Sequence, residues 1–79
     1  MKERVISERE GSYRLLEHSG TLALEVLVGT VALYAVRMVL TPGEVAQFRE
    51  HRVPWLDALA QDVTRREAHY RSLGRTQPV

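Results

Sequence analysis

The sequence predicts a small α+β domain: a four-stranded antiparallel β-meander followed by two C-terminal helices packed on one face of the sheet. Three observations support this class. Apolar and polar residues alternate with the period of a strand in the first half. Glycine-containing turns separate the alternating segments. In the second half, a strong helix-start signal precedes apolar residues at helical spacing.

Length and composition limit what such a domain can be. The 79 residues are enough for a single domain, residues 1–79, with a single core. The chain has no cysteine, so disulfides and thiolate metal sites are excluded. Oligomerisation therefore remains a route by which a chain of this size gains stability. The net charge of +1 gives no general electrostatic reason to expect a nucleic-acid partner.

The strands of the meander are separated by three candidate two-residue turns, Glu10-Gly11, Ser19-Gly20 and Gly29-Thr30. Glycine in such a turn accepts a positive φ without a Cβ clash, and Gly29 at the first position suits a type II′ hairpin. The predicted strands, within a sheet spanning residues 3–40, are 3–9, 12–18, 21–28 and 31–40.

The three turns together predict the register. They place Leu15 opposite Leu24 and Arg14 opposite Glu25 on the central pair of strands. Extended to all four strands, they give an apolar row and a polar row, which are Ile6-Leu15-Leu24-Ala35 and Ser7-Arg14-Glu25-Tyr34. A one-residue slip in any turn would mix the rows, because side chains alternate faces along a strand.

The two faces of the predicted sheet differ in character. Face A, which carries Leu15 and Leu24, is predicted to be the core face. Its other predicted members are Ile6, Tyr13, Leu22, Val26, Val28, Val31, Leu33, Ala35 and Val39, with Glu17 and Arg37 near one end. Face B, which carries Leu16 and Glu25, is too apolar for an ordinary solvated face. Its other apolar members are predicted to be Val5, Ala23, Leu27, Ala32, Val36, Met38 and Leu40.

The first helix has a clear beginning. Thr41 is the predicted N-cap, Pro42 occupies the first helical position, and Glu44 completes a capping box. Pro54 cannot donate a backbone hydrogen bond, so the helix is expected to break near it. The predicted segments are helices at 42–52 and 54–72 and a frayed tail at 75–79.

The second helix is expected to pack through Trp55 and its neighbours and to end at Gly74 as the C′ residue. Two helices suffice to cover one face of a four-stranded sheet, and face A is the expected one. Leu40 lies on the face B side, however, so the first helix could be drawn there instead, which would invert the two faces.

A face left without a helical cover predicts an interface, with the alternative that the N-terminal segment or the C-terminal tail folds over it. The sequence therefore favours a small non-enzymatic protein-binding module that is homodimeric through face B or binds another protein there. The predicted interface residues are Arg14, Leu16, Ala23, Glu25, Leu27, Tyr34, Val36 and Met38.

Catalytic and metal sites are not indicated. Glu25 with Tyr34 could form an acid/base pair, but a cross-strand ion pair with Arg14 explains Glu25 better, because no second acid or histidine lies in register. The three histidines lack the spacing of metal ligands. No nucleophile or phosphate-loop motif is present. We therefore expect no enzymatic activity, no cofactor and no metal.

Two alternative functions remain open from the sequence. One is an immunity-type or toxin-neutralising inhibitor, which rests on fold-level analogy alone. The other is RNA binding through Tyr34, Arg14 and the basic residues of the C-terminal segment, which are Arg65, Arg66, His69, Arg71 and Arg75.

Localisation is predicted from what the N-terminal and apolar segments lack. The charged N-terminal stretch has no secretory h-region. The longest apolar run, 26–36, is well short of the ~20 residues that a membrane helix needs. We expect a cytoplasmic protein with no membrane association.

Overall fold

A computed structural model describes residues 3–29 and 33–79. Within these residues the strands are β1 (Arg4–Arg9), β2 (Tyr13–His18), β3 (Thr21–Val28), β4 (Tyr34–Val39) and β5 (Thr76–Pro78). The helices there are α1 (Pro42–His51), α2 (Val53–Arg65) and α3 (Glu67–Ser72). All strand pairs are antiparallel, in the order β1-β2-β3-β4-β5. The α+β class is confirmed, but the described residues form five strands and three helices rather than four and two.

The β2–β3 hairpin matches the prediction. Its turn is the two-residue Ser19-Gly20, and both residues have positive φ, 52° and 81°, as a type I′ turn requires. The twist of this turn suits the twist of the flanking strands. Leu15 therefore pairs with Leu24, and Arg14 pairs with Glu25.

The β1–β2 pairing is only partly as predicted. Arg9 pairs with Tyr13, so residues 10–12 form the connection, one residue longer than expected. A bulge at Ile6 absorbs the extra residue, and Val5 still pairs with Leu16. Because of the bulge, Val5 and Glu8 both lie on face B, opposite Leu16 and Arg14.

The predicted β3–β4 register is wrong. Val28 pairs with Tyr34, so residues 29–33 form the connection in place of a two-residue Gly29-Thr30 turn. Glu25 pairs with Arg37 instead of Tyr34. The register of β4 against β3 is shifted by three residues, and a shift by an odd number of residues moves every side chain of a strand to the opposite face of the sheet. Among the residues predicted for this strand, 31 and 32, including Ala32, lie outside the described residues.

The core lies between face A and the helices, as predicted. On the sheet side it includes Leu15, Leu24 and Val26, and from the helices it includes Leu56 and Val63. Its remaining buried members are Tyr13, Leu22, Val28, Val36, Met38, Leu40, Phe48 and Ala60. Leu40 packs in this core, so the inversion of the two faces does not occur.

The start of α1 follows the sequence signal. The Glu44 amide donates to Thr41 Oγ1 at 3.2 Å, and the Thr41 amide donates to Glu44 Oε1 at 2.9 Å. Pro42 occupies the first turn, where its missing N–H costs nothing. The helix ends at His51, and Arg52 separates it from α2.

The predicted helix 54–72 is two helices. The chain leaves helical geometry at Arg66, where φ is −123° and ψ is 35°. After this bend α3 brings Glu67 to a buried position, where it accepts a hydrogen bond from Tyr34 Oη at 3.0 Å. None of the helices in the described part of the chain is long and apolar enough to span a membrane.

The predicted frayed tail is instead a strand. Gly74, with φ of 73°, ends α3 in a Schellman motif: its amide donates to Arg71 O at 2.9 Å, and the Arg75 amide donates to Tyr70 O at 2.9 Å. The chain then reverses, and β5 pairs with β4, with Gln77 opposite Arg37. The tail is thereby ordered by backbone hydrogen bonds that its composition did not indicate.

Candidate functional site

Face B carries three parallel rows of side chains. The charged row runs across the strands as Glu8, Arg14, Glu25 and Arg37, with Gln77 beyond it on β5. The apolar row consists of Val5, Leu16, Ala23 and Val39. The short row consists of Ser12, Leu27 and Ala35. The charged row lies between the other two, so face B is apolar toward both ends of the strands and ionic in the middle.

Glu25 is the centre of the charged row. It is only 7% exposed, although it lies on the face away from the helices. Arg14 Nη2 donates to Glu25 Oε1 at 2.7 Å, and Arg37 Nε donates to Glu25 Oε2 at 3.1 Å. A second Arg37 nitrogen, Nη2, donates to the same Oε2. Both carboxylate oxygens are therefore neutralised from the two flanking strands.

This arrangement keeps Glu25 ionised. Burial alone would raise the pKa of the Glu25 carboxyl, because a charged group is poorly solvated there. The hydrogen bonds from Arg14 and Arg37, with their positive charges, outweigh burial and lower the pKa below its usual value. A carboxylate that stays charged is suited to fixing arginines, and unsuited to donating a proton as a general acid.

The outer members of the charged row are less buried. Arg37 Nη1 also pairs with Glu3 Oε2 at 3.0 Å. Glu8 is exposed and has no ion-pair partner among residues 3–29 and 33–79. The side chains of Arg14 and Arg37 keep 48% and 36% of their surface exposed. The row therefore keeps part of its charge exposed to solvent.

Two shallow depressions flank the charged row. One, of about 600 Å³, lies over the apolar row and is lined by Leu16, Ala23 and Val39 together with Arg37. The other, of about 210 Å³, lies at the short row and is lined by Leu27 and Ala35 among others. Both are open to solvent, and neither is a closed cavity.

The structure brings together five of the eight predicted interface residues. These five lie on face B and are Arg14, Leu16, Ala23, Glu25 and Leu27. The placement of Tyr34, Val36 and Met38 on the same face is wrong. They lie on face A because the longer β3–β4 connection shifts the register by an odd number. Val36 and Met38 are part of the core.

The residues that take their place on face B are Ala35, Arg37 and Val39. The sequence contained a signal for this different β3–β4 register. The predicted register put Arg37 on the core face, where an unpaired charge is costly. Moving Arg37 to the face of Glu25 removes that cost and supplies a partner for the carboxylate. The charge of Arg37 thus argued for a longer connection than the glycine turn indicated.

Tyr34 belongs to a second polar cluster at the edge of the helical layer. Its hydroxyl donates to Glu67 Oε1 and accepts from Arg71 Nη2, each at 3.0 Å. Arg71 also pairs with Glu67. Tyr34 and Arg14 lie on opposite faces of the sheet, so they do not form the single RNA-binding surface that the sequence suggested.

The C-terminal basic residues are mostly paired. Arg66 binds both oxygens of Asp62, at 3.1 and 3.0 Å, and its guanidinium lies 5.9 Å from the centre of the Tyr70 ring. Arg75 pairs with Glu44 at 2.7 Å. These arginines form ion pairs within the helices and between the tail and α1. Because carboxylates neutralise them, they are less suited to binding phosphate groups.

A third cluster joins the sheet to α2. The Tyr13 hydroxyl donates to Asp57 Oδ1 at 2.5 Å, and Arg9 donates to both Asp57 oxygens at 3.1 and 2.8 Å. The hydrogen bond from Tyr13, followed by that from Arg9, lowers the pKa of Asp57. The cluster connects β1 and β2 to the beginning of α2. Its hydrogen bonds therefore hold the sheet and this helix together.

Metal ligands do not converge in the part of the chain that the structure describes: no group of three or more His, Asp or Glu residues there is arranged to hold an ion. Comparison of the chain with protein-family models, curated proteins and solved structures gave no match.

Proposed function

We propose that this protein is a small non-enzymatic protein-binding module that forms a homodimer through face B. The observation that carries the proposal is that the helices cover face A, while no described helix packs on face B, where only Leu16 and Glu25 are fully buried. Val5 and Val39 keep 47% and 54% of their surface exposed at one end of this face. Exposed apolar groups of this kind around a polar centre are typical of docking surfaces.

The construction of the face supports a binding role over a catalytic one. Glu25 is held between two arginines, which both fixes its position and keeps it ionised. The depressions beside it are open to solvent, and each is lined by a mixture of apolar and polar side chains. Such a surface supplies shape and charge to a partner protein.

The proposal is tested by the solution mass, measured by light scattering behind a sizing column. Wild-type protein is expected at twice the monomer mass of 9.0 kDa. Leu27→Lys and Val39→Lys place a charge on face B and are expected to give folded monomers, since a buried unpaired charge opposes association. Val39 is the safer position, because its exposure lets a lysine fit in the monomer.

Leu73→Lys is the matched control, because Leu73 is 61% exposed beside the helices. It should leave the dimer intact. A wild-type protein that stays at the monomer mass up to millimolar concentration would contradict the proposal of a homodimer. A dimer that survives both face B variants but dissociates with Leu73→Lys would move the interface to the helical layer.

A further inference from the structure

The charged row alternates in sign. From β1 to β4 it is negative at Glu8, positive at Arg14, negative at Glu25 and positive at Arg37. A row of four alternating charges, read backwards, has the opposite sign at every position. It is therefore complementary to a reversed copy of itself. A second copy of this chain, with the order of its strands reversed, therefore presents the complementary row of charges.

We propose that two copies of this chain pack face B against face B around a two-fold axis that runs parallel to the strands, between β2 and β3. This inference rests on the proposed function and adds its geometry. A rotation about such an axis places each row of one copy over the same row of the other copy. Within each row the order of the strands is reversed. Glu8 then lies over the partner's Arg37, and Arg14 lies over the partner's Glu25.

The apolar row fits the same operation. At the centre of this row Leu16 is already buried within its own chain, at 3% exposed, so the contact with the partner falls on the two ends of the row. Val5 comes to lie over the partner's Val39, and both are among the exposed apolar residues of this end of the face. Interfaces with two-fold symmetry require this kind of self-complementarity, in which one residue contacts a second and that second contacts the first.

Other two-fold axes stack like charges. An axis along the charged row would place each member over its own copy, including Glu25 over Glu25. An axis along β3 would also pair Glu25 with itself and would pair Arg14 with Arg37. Like charges placed together in an interface cost free energy, so the alternation selects the axis between β2 and β3.

Arg14 has donors left for the partner, because it gives a single hydrogen bond to Glu25 out of the five N–H groups of a guanidinium. Arg37 is already bonded to Glu25 and Glu3 and keeps 36% of its side-chain surface exposed. Glu8 is exposed and has no ion-pair partner in the described ranges, so it is placed to meet the charge of the partner's Arg37.

The test is charge reversal with rescue in the mixture. Glu8→Arg and Arg37→Glu each turn two attractive contacts of the dimer into repulsive ones, so each variant alone should show a Kd raised about tenfold or more. Mixed together, the two variants should form a heterodimer with a Kd near that of the wild type, because the reversed pair then forms once and the original Glu8–Arg37 pair forms once, and both contacts are attractive. Glu50→Arg and Arg65→Glu, exposed on α1 and α2, are the controls and should change the Kd little.

Arg37→Glu also weakens the pairing of Glu25, so a second test avoids the charges. The chain has no cysteine, and Val5→Cys and Val39→Cys lie on strands three spacings apart, about 14 Å in one chain. A thiol cross-linker shorter than this distance should join Val5→Cys to Val39→Cys in a mixture and neither variant to itself.

Each outcome has a distinct meaning. Rescue in the mixture together with the mixed cross-link supports the geometry. A dimer with no rescue, or with cross-links within a single variant, overturns this geometry and leaves the homodimer standing. A wild-type protein that is monomeric at every concentration overturns the proposed homodimer as well.

Discussion

Glu25 is the residue on which the properties of face B depend most. Its side chain is buried, and it accepts hydrogen bonds from arginines on both neighbouring strands. A buried ion pair adds little net stability compared with apolar packing, but loss of Glu25 would leave two partly exposed arginines without the counter-charge that they share. Glu25 therefore holds Arg14 and Arg37 in fixed positions, which is the condition for presenting an ordered charge pattern to a partner.

Replacement of Glu25 by glutamine is predicted to destabilise the fold at neutral pH. The two arginines would lose their counter-charge, and we expect the free energy of unfolding to fall by about 1–3 kcal/mol. Glu17→Gln is the control, since Glu17 pairs with the well-exposed Arg4 and its loss should cost about 0–1 kcal/mol. Chemical denaturation at pH 7 measures both.

The difference between wild type and Glu25→Gln should depend on pH. The pKa of Glu25 is lowered in the folded state, so its stabilisation is complete above the pKa of the unfolded chain, about 4.3. It should be lost as pH falls from there through the lower folded-state pKa. A difference that stays constant from pH 7 to pH 2 would show that the charge of Glu25 does not stabilise the fold.

Thr76 is a second residue with a measurable energetic role. It is 4% exposed, and its hydroxyl has no hydrogen-bond partner among the described residues. Thr76→Val keeps the shape and removes the polar group, so we expect the free energy of unfolding to rise by about 0.5–1 kcal/mol. Thr64→Val is the control, because Thr64 Oγ1 donates to Ala60 O at 2.9 Å and its loss should not stabilise the protein.

At the scale of elements, prediction succeeded where a turn is short and its chemistry is local. Ser19-Gly20 determines the β2–β3 register because a two-residue turn leaves the strands no freedom to slip. The capping box at Thr41 likewise depends only on residues within one helical turn. Both features were predictable because the interactions that produce them lie within a few residues of each other.

Prediction failed where the decisive contacts are distant in sequence. A connection over 29–33 and one over Gly29-Thr30 are both compatible with local patterns, and only the pairing of Glu25 with Arg37 distinguishes them. β5 has three residues, one of them proline, and no alternation to detect. It forms because the Schellman turn at Gly74 delivers the chain to the edge of β4.

The junction between α1 and α2 contains a strained backbone. Arg52 has φ of 62° and ψ of −142°, a region that side chains with a Cβ rarely adopt. Arg52→Gly should relieve this strain and raise the free energy of unfolding by about 1 kcal/mol, as measured by denaturant titration. Arg49→Gly, in the helical part of α1, should instead lower it by about 0.5–1 kcal/mol. If both variants lose stability, the backbone at Arg52 is not strained.

At the scale of the whole molecule, all three helices belong to the layer on face A. An antiparallel sheet tolerates one face in water, provided that the side chains of that face suit it. Face B meets this condition only along its charged row. Its apolar row and short row are better accommodated by a second copy, in which the three rows lie opposite their equivalents. The proposed dimer would account for this unequal division of the sheet into a face with helices and a face without them.

The most direct test of this account is a dilution series of methyl NMR spectra on the wild-type protein. The methyl groups of Leu27 and Val39 on face B should shift between millimolar and micromolar concentration as the dimer dissociates. Those of Val53 and Leu73, which are exposed at 40% and 61% away from face B, should stay constant. Spectra that do not change at any concentration, or that change at Val53 and Leu73 alone, would contradict the assignment of face B as the docking surface.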